Sequence, residues 1–341
     1  MEAIILAGGF GTRLRPFTFT RSKSLLPILN KPMITYILDS LPQEVDTVIL
    51  AVNYRRDQIQ DYIDNLHLKQ KIIVNQEPQP LGTGGATKYA EQYLTSDRFF
   101  VLNADIIASI NLEHMLKNHI MKHAEASISL WPVENVSEYG VVKIDDTGKI
   151  GYFVEKPRPQ DAPSNLINAG AYLLEHDVLD YIQPGRLISM EKEIFPRIIQ
   201  DTDRFYGYQF TGYWNDVGRI TSYLEVNQLL LKNRPYLTGA HCTIKGKLAA
   251  AVVGDHVTVN QGTTLDHAVV FNNAVIGATC SIQRSVIGEG ARIGDGAILE
   301  DVAVGDHETV TAHSRLRNTV VWTQPIPTGY PQKQIGNVIG E

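Results

Sequence analysis

The sequence is poor in cysteine. It has two in 341 residues, Cys242 and Cys280, with no CxxC or Cys/His ligand spacing. A disulfide framework and a structural zinc site are both excluded, and a reducing compartment is expected. No apolar run approaches the ~20 residues of a membrane span. The first one, Ala3–Ala7, is too short for a secretory h-region and has no basic flank. A cytoplasmic protein is the expectation. Positive charge is also in deficit, with 31 Lys and Arg against 37 Asp and Glu, for a net charge of -6. That balance argues against sequence-independent nucleic-acid binding, which needs clustered cations. An anionic substrate would need a local basic site inside an acidic whole. Apolar residues at 43% and charged residues at 20% describe an ordinary globular chain, and its length predicts two domains.

What is present changes character near residue 233. Before it, short apolar runs predict strands at Ala3–Ala7, Thr47–Val52, Lys71–Gln76, Arg98–Asn103 and Ala126–Pro132. Between them, helical patterns fall near Pro32–Leu41, Arg55–Leu66, Gly85–Leu94 and Leu112–His123. Pro32 suits a helix first turn. Strands at Tyr139–Asp145, Lys149–Glu155 and Ile167–Leu174 follow, then helices at Ser189–Gln200 and Arg219–Leu231. Alternating strands and helices predict a mostly parallel sheet covered on both faces. Ligands of such sheets bind beyond the carboxyl ends of the strands. The loops after Ala7, Gln76 and Asn103 are therefore where chemistry is sought.

From about residue 236 a 17-residue period takes over. Val253, Val259 and Leu265 recur as Val270, Ile276 and Ile282, then Ile287, Ile293 and Leu299, then Val304, Val310 and Leu316. All twelve are aliphatic, which scattered core residues of an ordinary sheet would not produce. A 6+6+5 spacing predicts a solenoid with three short strands per coil. Gly254, Gly288 and Gly305 fill one column and Gly277 and Gly294 another, as expected of turns needing positive φ. Tyr236, Cys242 and Leu248 extend the pattern back by one weaker coil. The pattern resembles the hexapeptide repeats of left-handed parallel β-helices, here over 236–321. The tail 322–341 breaks the period and is expected to form an irregular cap or extension.

Leu6 and Ala7 lead directly into Gly8-Gly9-Phe10-Gly11-Thr12-Arg13-Leu14-Arg15-Pro16. The glycines let backbone N–H groups approach an anion closely, and arginine adds a bidentate cation. Lys23 follows. A P-loop is excluded because no Gly-Lys-Ser/Thr follows the glycines. A dinucleotide fingerprint is excluded because Pro16 and Phe17–Thr20 oppose an immediate helix. The loop is expected to wrap a triphosphate in extended form.

This segment, with Lys23 and Pro27, resembles the sugar-phosphate nucleotidylyltransferase family. The likeness covers most of 1–233, and many members carry a C-terminal left-handed β-helix. Ser22 and Ser24 stand where the family often has prolines around the lysine. The implied fold is α/β: a Rossmann-like mixed sheet forming a nucleotidyltransferase domain at 1–233, followed by the short β-helix.

Asp105 follows the strand Arg98–Asn103, and Asp216 lies in Tyr213-Trp214-Asn215-Asp216-Val217-Gly218. Two carboxylates with phosphate oxygens and water suit an octahedral Mg²⁺. The bland alternative is that each caps the next helix. In the resembling family these motifs carry the magnesium aspartates, so Mg²⁺ is the expected cofactor, although Ala104 replaces the usual glycine. The resemblance also implies Lys156 of Glu155-Lys156-Pro157 for the sugar phosphate. It implies Asn103, Gly140, Glu155 and Asn168 for the sugar. For the nucleotide it implies Leu6, Ala7, Gly8, Gly9, Gly11, Thr12, Gln76, Gly82 and Thr83.

The implied reaction joins a sugar 1-phosphate to a nucleoside triphosphate by one in-line displacement at the α-phosphorus. Arg13, Lys23 and Lys156 act as its cations. The form Leu81-Gly82-Thr83-Gly84-Gly85-Ala86 points to GTP with mannose 1-phosphate. Glucose or N-acetylglucosamine 1-phosphate with UTP or dTTP is the alternative. A non-catalytic subunit binding an NDP-sugar is a second one, but it would tend to lose the arginine, lysine or aspartates. Acyl transfer by the β-helix is not expected, because His256 and His307 stand three coils apart and form no pair. A homo-oligomer through the β-helix is expected.

Overall fold

The computed structural model describes residues 1–330; the expectation for the tail beyond Tyr330 lies outside them. The chain packs as two compact units. One is Met1–Gly9 with Ile34–Asn215, the other Phe10–Met33 with the chain from Asp216 onward. Packing therefore does not follow a linear division at residue 233, because the segment carrying Arg13, Arg15 and Lys23 belongs with the C-terminal unit.

The first unit is a mixed sheet. Its strands are β1 (Glu2–Leu6), β2 (Thr47–Val52), β3 (Lys71–Gln76), β4 (Arg98–Asn103), β5 (Ala126–Pro132), β6 (Gly140–Ile144), β7 (Ile150–Glu155), β8 (Leu166–Glu175) and β9 (Phe205–Gln209). The order is β7-β6-β8-β4-β1-β2-β3, with β5 pairing both β8 and β9. β4, β1, β2 and β3 run parallel, and β8 runs antiparallel to β4. The three inner parallel strands, β4, β1 and β2, are apolar through their middles, as burial on both faces requires: Ile4, Ile49, Phe99 and Val101 are all fully buried. Each such side chain contributes about 1.5–3 kcal/mol on burial.

Helices cover the sheet: α1 (Met33–Ser40), α2 (Arg56–Asp64), α3 (Gly82–Ala90), α4 (Leu112–Met121) and α5 (Phe195–Asp201). α2 shows the usual logic, with Ile59 and Ile63 one turn apart on its buried face. Two boundaries differ from expectation. Pro32 lies in a two-residue strand before α1. α3 starts at Gly82, not Gly85, because the N–H groups of Gly84 and Gly85 both donate to Ile188 O, at 2.9 and 3.3 Å. Burial of the helix start against that segment overrides the low helix propensity of glycine.

The second unit is a parallel β-helix preceded by α6 (Ile220–Leu231). Successive coils pair in register at 17 residues, as in Val253↔Val270↔Ile287↔Val304 and Leu265↔Ile282↔Leu299↔Leu316. Eleven of the twelve column residues are buried, and Leu316 in the last coil is partly buried against them.

Two expectations need correction. The first coil closes at 15 residues on two faces, so Thr238 pairs Val253 and Ile244 pairs Val259. Thr238 and Ile244 occupy the columns, not Tyr236 and Cys242. The corner at Lys245-Gly246 is the shortened one, and Gly246 allows it: a Cβ there would stand 2.5 Å from Thr263 O. Nor do the glycine columns supply positive φ. His256, Asn273 and His307 do, at 56°, 62° and 61°, with Gly290 completing that column. Gly254, Gly277 and Gly288 are needed because neighbouring coils stack against them; a Cβ on Gly288 would lie 2.5 Å from Gly305 C. His256 and His307 are thus corner residues.

Candidate functional site

In the first unit the four parallel strands end at one edge. Leu6 is level with Asn103 on one side and Ala51 on the other. Gly8 passes close over this edge. A Cβ there would lie 3.2 Å from Glu77 Oε1 and 3.6 Å from Asn53 Cβ. The Glu77 carboxylate accepts the Leu81 N–H at 3.0 Å, and burial pushes its pKa up. Gln76 beside it is exposed at the end of β3.

The antiparallel β8 brings the expected sugar-side residues to the same edge. Ala171 pairs Leu102, which sets Asn168 and Gly170 beyond the end of β4. Gly170 has φ +81°, and a Cβ there would meet Asn103 Nδ2 at 2.8 Å. Ile167 pairs Val141, and Gly140 pairs Glu155. A Cβ on Gly140 would lie 2.9 Å from Glu155 Oε2. Asn103, Gly140, Glu155 and Asn168 are therefore gathered, although 65 residues separate the first from the last in sequence. Lys156 follows with φ +50°, its Nζ 3.7 Å from Glu155 Oε1 and its side chain 60% exposed. Such a cation is free to reach an incoming anion.

One residue escaped the sequence reading. Glu191 sits in a π-helical turn, Met190–Ile194. Its carboxylate accepts from Thr83 Oγ1 and Ser189 Oγ, both at 2.7 Å, and from Tyr172 Oη at 3.1 Å. The Tyr172 hydroxyl in turn accepts from Asn168 Nδ2 at 2.9 Å. Burial pushes the Glu155 pKa up, and the Glu191 charge adds to the effect. The run Ser189-Met190-Glu191-Lys192-Glu193 reads as an ordinary helix start, so no local signal marks Glu191. The same network bears on Thr83, whose hydroxyl also accepts the Met190 N–H at 2.9 Å. Gly82, at φ +73°, lets Ile188 O approach to where a Cβ would stand at 2.6 Å. Both residues are thus held in place by this packing.

Asp105 follows β4 in a turn and does not cap α4; Asn111 does, accepting from His114 N–H at 2.9 Å. As a half-exposed carboxylate at this strand end, it has the hard-oxygen chemistry a divalent cation of the magnesium type requires. Among the described residues, no group of three or more His, Cys, Asp or Glu stands where it could hold a metal ion.

In the second unit the loop continues as three short 3-10 turns, Thr12–Leu14, Phe17–Phe19 and Lys23–Leu25, with no α-helix directly after the glycines. Gly11 has φ +63°, and a Cβ there would meet Thr18 Cγ2 at 2.8 Å and Lys23 Cβ at 3.2 Å. Arg13 and Asp216 meet around Gly218, where a Cβ would lie 2.9 Å from Arg13 Nη2 and 3.2 Å from Asp216 Oδ1. Asp216 does not cap α6. At that helix start Ser222 Oγ accepts the Arg219 N–H at 3.1 Å. Among the described residues, no helix is long and apolar enough to cross a membrane.

Comparison with known proteins finds relatives for both parts of the chain. A family model described as nucleotidyl transferase matches residues 2–233, and one described as GMPPB C-terminal domain matches 238–334. Mannose-1-phosphate guanylyltransferase 1 of Arabidopsis thaliana is 35% identical over 330 residues, covering 94% of this chain and 90% of that protein. Mannose-1-phosphate guanylyltransferase of Mycobacterium tuberculosis is 33% identical, covering 83% of each. Among solved structures, HddC from Yersinia pseudotuberculosis complexed with GMP-PN is 28% identical with a TM-score of 0.56. That match covers 67% of this chain and 99% of that one. A UDP-glucose pyrophosphorylase complexed with UDP-glucose is 25% identical with a TM-score of 0.60, covering 68% of this chain and 99% of that one.

Proposed function

Since the chain belongs to the nucleotidyl transferase family and is a sugar-1-phosphate nucleotidylyltransferase, we propose that it joins mannose 1-phosphate to GTP, giving GDP-mannose and pyrophosphate. The observation that carries the sugar side is the gathering of Asn103, Gly140, Glu155 and Asn168 at the edge where β1 runs into its glycines. The guanylyltransferase relatives support the choice of base and sugar.

In this reading a sugar-phosphate oxygen attacks the α-phosphorus in line. The new P–O bond forms as the bond to the bridging oxygen breaks, and pyrophosphate leaves with that electron pair. The nucleophile is already an anion, so no Ser, Cys or His is needed. The protein positions two polyanions and offsets their charge. Lys156 holds the sugar phosphate, and Glu155 and Asn168 take sugar hydroxyls. Arg13 and Lys23 hold the departing pyrophosphate. Leu6, Ala7, Gly8, Gly9, Gly11 and Thr12 present backbone to the nucleotide, with Gln76, Gly82 and Thr83 toward the base. Asp105 and Asp216 are the residues that would hold Mg²⁺, which supplies charge neutralisation at the phosphates when bound.

Pyrophosphate release across a grid of nucleoside triphosphates and sugar 1-phosphates tests the assignment. Highest kcat/KM for GTP with mannose 1-phosphate is expected. A preference for glucose 1-phosphate with UTP or dTTP overturns it. Self-association through the β-helix belongs to the same proposal, and light scattering of the full chain decides it.

A further inference from the structure

The described part of the chain ends in a strap that returns to the glycine-rich loop. Its start is fastened to the last coil. Thr323 donates to the Glu308 carboxylate through N–H at 2.8 Å and Oγ1 at 2.9 Å, and Gln324 Nε2 donates to Asp306 O at 2.8 Å. The Trp322 ring lies against Gly305, where a Cβ would stand 2.5 Å from it, and packs on Phe19 with ring centroids 5.0 Å apart.

The strap then delivers Tyr330 into the loop. Its side chain is buried, its ring is 5.1 Å from Phe19 and 5.9 Å from Phe10, and the Arg15 guanidinium lies 4.8 Å above it. The Tyr330 hydroxyl donates to Phe10 O at 3.0 Å and stands 3.0 Å from the hydroxyl of fully buried Thr18. Thr18 Oγ1 in turn reaches Gly11 O at 2.9 Å. Each hydroxyl has one proton, so Tyr330 holds Phe10 O and Thr18 holds Gly11 O while the two oxygens lie side by side. Both carbonyls belong to peptides of the glycine loop. In a trans peptide the N–H points opposite to the C=O. Fixing Phe10 O and Gly11 O on the strap side therefore turns the Gly11 and Thr12 N–H groups to the other side. Among the described residues, nothing accepts from either N–H.

We propose that Tyr330 is a positioning residue for nucleoside triphosphate binding. Holding Phe10 O directly, beside a Thr18 that holds Gly11 O, it orients the Gly11 and Thr12 amides toward the phosphates. The role rests on the nucleotidylyl-transfer reading, but its structural half does not.

The test uses the full chain with Tyr330→Phe and Tyr330→Ala. Hydrogen exchange of residues 10–21 is compared with the wild type, alongside KM for each substrate, kcat and Tm. Tyr330→Phe keeps the ring on Phe19 and Arg15 and loses only the hydroxyl. Faster exchange in 10–21, a KM for the triphosphate raised roughly fivefold, and an unchanged KM for the sugar phosphate are expected, one hydrogen bond being at stake. Tyr330→Ala is expected to exceed this. Wild-type exchange in Tyr330→Phe overturns the proposal. So does an equal rise in both KM values with a lowered Tm, which would assign Tyr330 to stability alone. If the wild type turns over no pair of substrates, the reaction reading fails, while the exchange comparison still decides whether Tyr330 orders the loop.

Discussion

Thr83 Oγ1 donates to Glu191 Oε2 at 2.7 Å, joining the start of α3 to a π-helical turn 108 residues later. The same carboxylate takes Tyr172, and Tyr172 takes Asn168. A residue expected on the nucleotide side and one expected on the sugar side therefore share one partly buried carboxylate. Glu191→Gln keeps the shape and removes that charge. Glu155 then loses the repulsion that adds to burial in raising its pKa. The acidic limb of the kcat/KM profile for the sugar phosphate is expected to move to lower pH. Profiles that superimpose would show that Glu155 does not act in its ionised form.

Lys156 carries the only charge proposed for the sugar-side phosphate. Its side chain is 60% exposed, so its loss leaves the fold intact. Lys156→Ala is expected to raise KM for the sugar phosphate at least tenfold, on the order of a charge-assisted hydrogen bond, with little change in KM for the nucleotide. The reverse pattern would exchange the two phosphate sites.

Asp105→Asn and Asp216→Asn preserve volume and remove the charge a divalent cation needs. Each is expected to lower turnover roughly a hundredfold or more at saturating Mg²⁺, with an unchanged circular dichroism spectrum. Mg²⁺ titration by calorimetry in the presence of nucleotide gives a second readout. Undiminished Mg²⁺ binding in either variant removes that aspartate from the metal site.

His119 ties stability to pH. Its fully buried ring is 2.8 Å from Ser127 Oγ through Nδ1 and 3.0 Å from Glu175 Oε1 through Nε2. Burial pushes its pKa below 6.5 despite the Glu175 charge. The unfolded chain then takes up a proton near pH 6.5 that the folded protein refuses until lower pH. Stability from this group is complete above that pH and is lost as pH falls toward the folded value. Tm is therefore expected to drop between about pH 7 and about pH 5, and to drop less in His119→Gln. Equal slopes would place the acid sensitivity elsewhere.

Residue pattern alone places most of the elements. β2, β3, β4 and β5 lie at the expected residues, and in β2, β4 and β5 the apolar runs are buried. The 17-residue period was legible because each coil repeats one packing problem, so the same aliphatic answer recurs. The glycine-arginine loop stands out in the sequence because few residue types let a backbone approach an anion closely.

Which residues meet is a property of the folded chain. Gly11 reads as a close approach of backbone to an anion, and its missing Cβ also makes room for Thr18. The glycine columns of the β-helix read as positive-φ turns, while corners such as those at His256 and His307 carry that strain and the glycines carry the stacking. Glu191 and Tyr330 had no signal at all. Their partners lie 108 and 312 residues away, and a hydrogen bond over that distance leaves no period or motif in the chain. The loop from Phe10 to Met33 follows β1 in sequence but packs with the coils, because Phe17, Phe19 and Arg21 find Phe271, Trp322 and Asp306 there. Apolar rings and a buried guanidinium take the partners that cover and pair them, and chain order does not record which those are.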